Sequence, residues 1–171
     1  MSDYPSPKEP EKKMLTLKDV QAVKMKIVKA APPNATNIER VFPGVTSGIR
    51  PIFFCYGDTI YNPAGVTIPL ELLAHEAVHS RQQEVQGVRV WWDLYLASTH
   101  FRFNQELEAH RVEYEQYRLL NNRPFSRRYL VGAAERLAGP LYGGLTTRAT
   151  AKKLIIANQL GGKHVAQQQP A

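Results

Sequence analysis

The stretch "LLAHEAVHSRQQ", residues 72 to 83, constrains this chain more than any other. It sets His75, Glu76 and His79 in the spacing His-Glu-x-x-His, inside a run of helical periodicity. On a helix, residues four apart share one face about one turn apart, so the two imidazoles project together. Glu76 is turned about 100° from His75, toward the same cleft. Leu70, Leu73, Ala74 and Ala77 make an apolar stripe on the opposite side, suited to anchoring the helix on a core. Two neutral imidazoles suit zinc with a position left open for water. A glutamate beside them can take a proton from that water and return it to a leaving amine. A pattern this short arises by chance in roughly one such chain in a hundred. Two ligands do not complete a site, so a third must come from downstream.

No third histidine follows at short range, because the next residues read "SRQQEVQGV". A long helix expected over roughly residues 104–121 contains "NQELEAHRVEYEQYR" and offers Glu106 and Glu108. Two residues apart on a helix, they point roughly 160° from each other and cannot serve one site equally. Glu106 shares its side with Phe103, Leu107, His110 and Tyr117, which should face inward. Glu108 lies with Asn104, Arg111 and Glu115 and is expected to be a surface charge. The periodicity therefore selects Glu106 as the third ligand.

"HEAVH" followed by "ELEAH" resembles the gluzincin pattern, in which a glutamate of an E-x-x-A-D run on the next long helix completes the zinc site. The match covers Glu106 and Ala109. His110 stands where that family usually has aspartate, which leaves the hydrogen-bond partner of His79 or His75 open. Residues 72–160 as a whole are similar to small zinc peptidases encoded by bacteria and tailed phages, and a "PLYG" stretch before the last helix adds to the likeness. The resemblance implies a minimal zincin-like domain: a short sheet whose edge runs along the substrate cleft, and two helices holding Zn2+. The hairpin "FFCYGDTIYNP" suits the edge role. It further implies a metallopeptidase acting on a peptide or protein, with His75, His79 and Glu106 on the metal and Glu76 as general base. The alternative is a non-enzymatic phage virion or assembly component that keeps the scaffold.

The rest of the chain fits one domain. Its 171 residues, 43% of them apolar, supply a single core, expected over residues 14–160 between tails at 1–13 and 161–171 that read as disordered. The fold class expected is α+β, mainly α. "TLKDVQAVKMKIVKAA" is expected to be helical from Thr16, with Asp19 completing a capping box, although Val23, Met25 and Ile27 alternate with lysines. A hairpin should turn at Gly57-Asp58. Helices should start near Thr67, near residue 90, at Ser126, and at Thr146 or Thr147. His100, Tyr114 and Tyr142 are candidate donors to an oxyanion. Trp91 and Trp92 are packing anchors or the wall of a groove, and Gln82 and Gln83 extend the motif helix. The one cysteine, Cys55, excludes an internal disulfide, fits a reducing compartment and reads as a buried, inert thiol.

The net charge of +7 is uneven: +3 over residues 1–33, −3 over 34–121 and +7 over 122–171. Arg123, Arg127, Arg128, Arg148, Lys152 and Lys153 make residues 122–160 a candidate contact for an acidic protein or a nucleic acid, although no recognisable nucleic-acid module is present. No apolar run is long enough for a membrane span, and no signal peptide is visible. The expected location is cytoplasmic, or virion-associated for a phage protein.

Overall fold

A computed structural model describes residues 15–161. The disorder expected of the two tails lies outside these residues, apart from Gly161, which closes the last helix. The architecture is α+β and mainly α: seven α-helices and a three-stranded sheet among the described residues.

The helix expected from Thr16 to Ala31 is corrected. It is only five residues long, α1 (Leu17–Gln21), and the alternating stretch after it forms strand β1 (Lys26–Val28). Asp19 does cap α1, its carboxylate accepting from the Thr16 N–H at 2.8 Å and the Thr16 hydroxyl at 2.7 Å. Beyond Gln21 a sheet partner wins over local propensity. The Lys26 N–H donates to the Asp58 carbonyl at 2.9 Å, and the Asn62 N–H to the Val28 carbonyl at 2.9 Å. Strand β1 thus runs parallel to β3 (Thr59–Tyr61), which pairs antiparallel with β2 (Phe54–Tyr56), in the order β1-β3-β2. The β2–β3 hairpin turns where expected. Gly57, at φ +63°, takes the first turn position, where a II′ turn demands a residue free of a Cβ. Helix α2 (Ala35–Val41) lies between β1 and β2 in the chain.

Helix α3 (Leu70–Gln86) carries the histidine motif. Pro69 sits just before its first turn, where no helical N–H is lost, and its carbonyl accepts from Leu72 and Leu73. Gly87, at φ +87°, separates α3 from α4 (Val88–Ala97). The long helix α5 (Thr99–Leu120) begins where the Ser98 hydroxyl accepts from the Phe101 N–H at 3.2 Å. Helix α6 (Arg123–Leu137) starts earlier than expected. Asn122, not Ser126, is its cap, and the Ser126 hydroxyl donates back to the Asn122 carbonyl at 2.9 Å. A 3-10 turn (Pro140–Tyr142) leads to α7 (Arg148–Gly161), at whose start the Thr147 hydroxyl accepts from the Thr150 N–H.

Three apolar clusters hold these elements. Leu17 and Val20 of α1 pack on Ala74, Ala77 and Val78 of α3 and on Ala109 and Val112 of α5. The alanines let α3 and α5 approach closely. The apolar stripe expected on α3 is shorter than predicted, since Leu70 is 57% exposed. Leu130, Ala133, Ala134, Leu137 and Ile155 join α6 and α7 to Tyr114 of α5. Ile38, Phe54, Trp91 and Trp92 gather α2, β2 and α4. Among the described residues, no helix is long and apolar enough to cross a membrane.

Candidate metal centre

Helices α3 and α5 pack side by side and bring the four residues singled out in the sequence together. The Nε2 atoms of His75 and His79 stand 3.1 Å apart. One carboxylate meets both: Glu106 Oε2 lies 3.3 Å from His75 Nε2, and Oε1 lies 3.4 Å from His79 Nε2. All three residues are buried. Donor atoms bound tetrahedrally at imidazole distances of about 2.0–2.1 Å stand about 3.3–3.4 Å from one another. The cluster matches that spacing closely.

The far side of each imidazole fixes what the near side can do. Glu113 Oε2 accepts from His75 Nδ1 at 2.7 Å. On the other ring, Gln82 Nε2 donates to the Gln105 carbonyl at 3.1 Å and to Glu108 Oε2 at 2.8 Å. Its Oε1 is therefore the acceptor for His79 Nδ1, at 2.9 Å. With both Nδ1 protons committed, each neutral ring turns a bare Nε2 lone pair toward the other and toward a carboxylate. Such a constellation is repulsive unless a cation joins it.

The titration behaviour carries the same message. Burial opposes a charge on His75, but Glu106 and Glu113 outweigh it and raise its pKa well above 6.5. Burial likewise opposes ionisation of Glu106, yet His79 and His75 hold its carboxyl well below the usual carboxylate range. Without a metal, a proton on His75 supplies the missing positive charge.

Glu76 differs from these. It lines a cavity beside the two imidazoles, and no hydrogen-bond donor among the described residues engages its carboxylate. Burial pushes its pKa up, with the imidazoles pulling partly back. A carboxylate with a raised pKa and no hydrogen-bond donor among the described residues is suited to accept and return a proton.

Glu108 is not the surface charge expected. It is 8% exposed, and its Oε1 accepts from the Leu15 N–H at 2.9 Å. The segment leading into α1 lies across this side of α5 and covers it, so the carboxylate serves to orient Gln82. The partner left open by His110 is Glu113, one turn further along α5. It collects His75 Nδ1, His110 Nδ1 at 2.6 Å, the Tyr129 hydroxyl and Arg136 Nη2 at 2.9 Å. His75, His110 and Glu113 also lie close enough to hold a metal. The guanidinium already at that carboxylate makes it a hydrogen-bond hub instead.

Of the suggested oxyanion donors, only Tyr142 lines the cavity. His100 is exposed on the first turn of α5, and Tyr114 is buried against α6 and α7. A tyrosine passed over by the sequence reading, Tyr95, donates to Glu106 Oε1 at 2.6 Å. Its signal was available, four residues after Trp91 on one face of α4, where the two rings stack at 4.8 Å. Trp91 and Trp92 prove to be both anchors and cavity wall. Gln83 does more than extend its helix: it is fully buried and bridges the Cys55 carbonyl and the Gly57 N–H. Strand β2 is an edge strand beside the cavity, and the Cys55 carbonyl is further taken by Trp92 Nε1 at 3.2 Å. Cys55 is buried, as expected, and burial pushes its thiol pKa up.

Comparison with known proteins gives no matching family model, no curated relative and no similar solved structure.

Proposed function

We propose that this protein is a zinc-dependent hydrolase of amide bonds. The observation that supports the reading best is the convergence of His75 Nε2, His79 Nε2 and the Glu106 carboxylate at 3.1–3.4 Å, with both Nδ1 atoms engaged behind them. Zinc fits this N2O donor set better than calcium or magnesium, which prefer oxygen ligands. When bound, zinc supplies Lewis acidity and lowers the pKa of a water to near 7.

The chain's own residues do the rest. Glu76 takes a proton at its carboxylate as the water attacks the amide carbonyl, then gives that proton to the departing nitrogen. Glu113 and Gln82 keep the imidazoles in the tautomer that presents Nε2. Tyr95 holds Glu106 in place. Burial and an interaction with Glu106 keep the Tyr142 hydroxyl protonated, and by exchanging that carboxylate for substrate it would donate to a carbonyl oxygen gaining charge.

Metal analysis of purified protein tests this directly. About one zinc per chain is expected, lost in His75→Ala and in His79→Ala. Glu76→Gln should keep the metal and lose most hydrolysis. A wild-type protein with no affinity for zinc would sink the reading. A zinc-loaded protein that cleaves no amide would favour a scaffold role in assembly, where the basic surface of residues 122–160 becomes the natural contact for an acidic partner.

A further inference from the structure

The cavity over the cluster has a size and lining that the metal alone does not require. It encloses about 230 Å³. Pockets that engulf a whole small molecule run to about 300–1,000 Å³, so this one is sized for a single side chain. Its wall away from the cluster is apolar: Ile38, Phe42 and Val45 from α2 and the loop after it, Trp91 and Trp92 from α4, and Leu141 from the 3-10 turn. Among the described residues, the carboxylates and imidazoles that line it are His75, Glu76, His79 and Glu106. No described side chain on the far wall could neutralise a charge placed against it, and burying an unpaired charge is strongly unfavourable.

The wall is built rather than left over. Arg102, only 7% exposed, ties together three segments distant in sequence. Its Nε donates to the Leu141 carbonyl at 2.9 Å, and Nη1 donates to the Tyr95 carbonyl. Its guanidinium lies 5.0 Å from the Phe42 ring centroid and 5.7 Å from that of Tyr95. The loop carrying Val45 is fastened separately. The Glu39 carboxylate accepts from the N–H groups of Gly44 and Thr46 and from the Thr46 hydroxyl, on either side of Val45. An apolar recess held open in this way, continuous with the cluster, is preorganised for an apolar guest.

We infer that this cavity is a side-chain pocket, and that the bond cleaved is a peptide bond flanked by one bulky apolar residue of about the size of Leu, Met or Phe. Cleavage rests on the hydrolase reading; the pocket does not.

Two arms keep the claims apart. In the first, zinc-loaded protein acts on a peptide mixture containing every residue type, with Glu76→Gln as the blank. A bulky apolar residue should be enriched at least about tenfold at one fixed position beside the cut. Val45→Phe, which fills the recess from a loop, should shift that preference toward Ala and Gly while the zinc content stays the same. Val45→Leu should shift it in the same direction and serves if the larger change prevents folding. Cuts flanked by small or charged residues, or a preference unmoved by both substitutions, would overturn the pocket while hydrolysis stands. In the second arm, the tryptophan fluorescence of zinc-loaded Glu76→Gln protein is titrated with N-acetyl-phenylalanine amide and N-acetyl-lysine amide. A saturable change with the first alone, lost in Val45→Phe, supports the pocket even if no amide is ever hydrolysed. Equal responses to both amides, or none to either, would overturn it.

Discussion

Against α6 and α7, helix α5 buries Tyr114 among Leu130, Ala133, Ala134, Leu137 and Ile155. Toward α3, the same helix buries Gln105, Glu106, Glu108, His110 and Glu113, the last of which also reaches Tyr129 and Arg136 of α6. The first interface is explained by removal of apolar area from water, a stabilising change wherever it occurs. The second adds to a small apolar contact, Ala74, Ala77 and Val78 on Ala109 and Val112, a set of buried carboxylates, each of which loses several kcal/mol of hydration unless donors replace the water. Here they do. Glu113 has His75, His110, Tyr129 and Arg136; Glu108 has Leu15 and Gln82; Glu106 has Tyr95, and the two Nε2 atoms beside it leave the rest of its charge to a cation. A seam that only joined two helices would need none of this. Most of these hydrogen bonds lead to the back of an imidazole, so the seam holds two rings in one tautomer at a cost the apolar interface never meets.

The largest expected effect is at the hub. Glu113→Ala removes the acceptor for four donors and leaves Arg136 and two imidazoles facing a void. A loss of about 3–5 kcal/mol in urea unfolding is expected, together with loss of metal. The pH dependence of the metal-free protein sharpens the point. Glu113 is held well below its ordinary pKa of 4.5 because the His110 and His75 interactions outweigh the opposing effect of burial. Its contribution is therefore complete above pH 4.5 and disappears as pH falls through the lower folded value. His75 is the mirror case, raised well above 6.5. Its contribution is complete below pH 6.5 and is lost as pH rises through the raised folded value. Stability of the metal-free protein should thus fall on both sides of a plateau. Bound zinc should abolish the alkaline fall, because the metal takes the place of the proton. An alkaline limb unchanged by zinc would show that the cation does not sit on His75.

Leu137→Ala, in the other interface, should be comparably damaging, at about 2–5 kcal/mol, since Leu137 is fully buried and would leave a cavity. Its consequence should differ in kind. Zinc stoichiometry and affinity in the folded fraction should equal those of wild type. If the apolar variant loses metal as readily as the hub variant, the two sides of α5 are one cooperative unit and the contrast fails.

How much of this the sequence disclosed follows the same division. His75, His79 and Glu106 could be placed because their geometry depends on the period of one helix at a time. Glu108 was misjudged because its cover is Leu15, from a segment 93 residues earlier in the chain, and no local pattern reports that approach. Glu113 was legible in principle: it lies seven residues after Glu106, two turns along the same face, but a glutamate beside an arginine-rich helix also reads as a surface charge. Strand β1 was misread because its partner β3 begins 33 residues after it does, at Thr59 against Lys26. Of the cavity, Trp91 and Trp92 were legible as a candidate wall, but the remainder was not, since Arg102 and Glu39 fasten segments that carry no periodicity.

A smaller effect tests whether the orienting chain reaches the ligand. Glu108→Gln keeps the shape but lets the new amide present either end to Gln82, so the Gln82 carbonyl is no longer held toward His79. Zinc affinity should fall about 10–100-fold, the usual cost of losing a hydrogen-bonding partner behind a ligand, with little change in unfolding free energy. Gln82→Leu should do the same, and the double variant should be no worse than either single one. Additive losses would mean that the two residues act separately.

The smallest effect comes from a pair that looks identical on distance alone. Arg148 Nη1 meets Glu135 Oε1 at 2.9 Å, the separation at which Arg136 meets Glu113. The side chains of the first pair are 63% and 53% exposed, whereas the Glu113 side chain is 0% exposed. Water already solvates both members of the surface pair, and salt screens them, so holding two long side chains together returns little. Arg148→Ala should cost about 0.2–1 kcal/mol, shrinking further in high salt, and should leave zinc affinity unchanged. Arg136→Ala should cost more and should weaken zinc, because it removes a hydrogen bond that holds the carboxylate orienting His75. Equal costs for the two arginines would mean that burial of the acceptor carries no weight here, and the reading of the α3–α5 seam would fall with it.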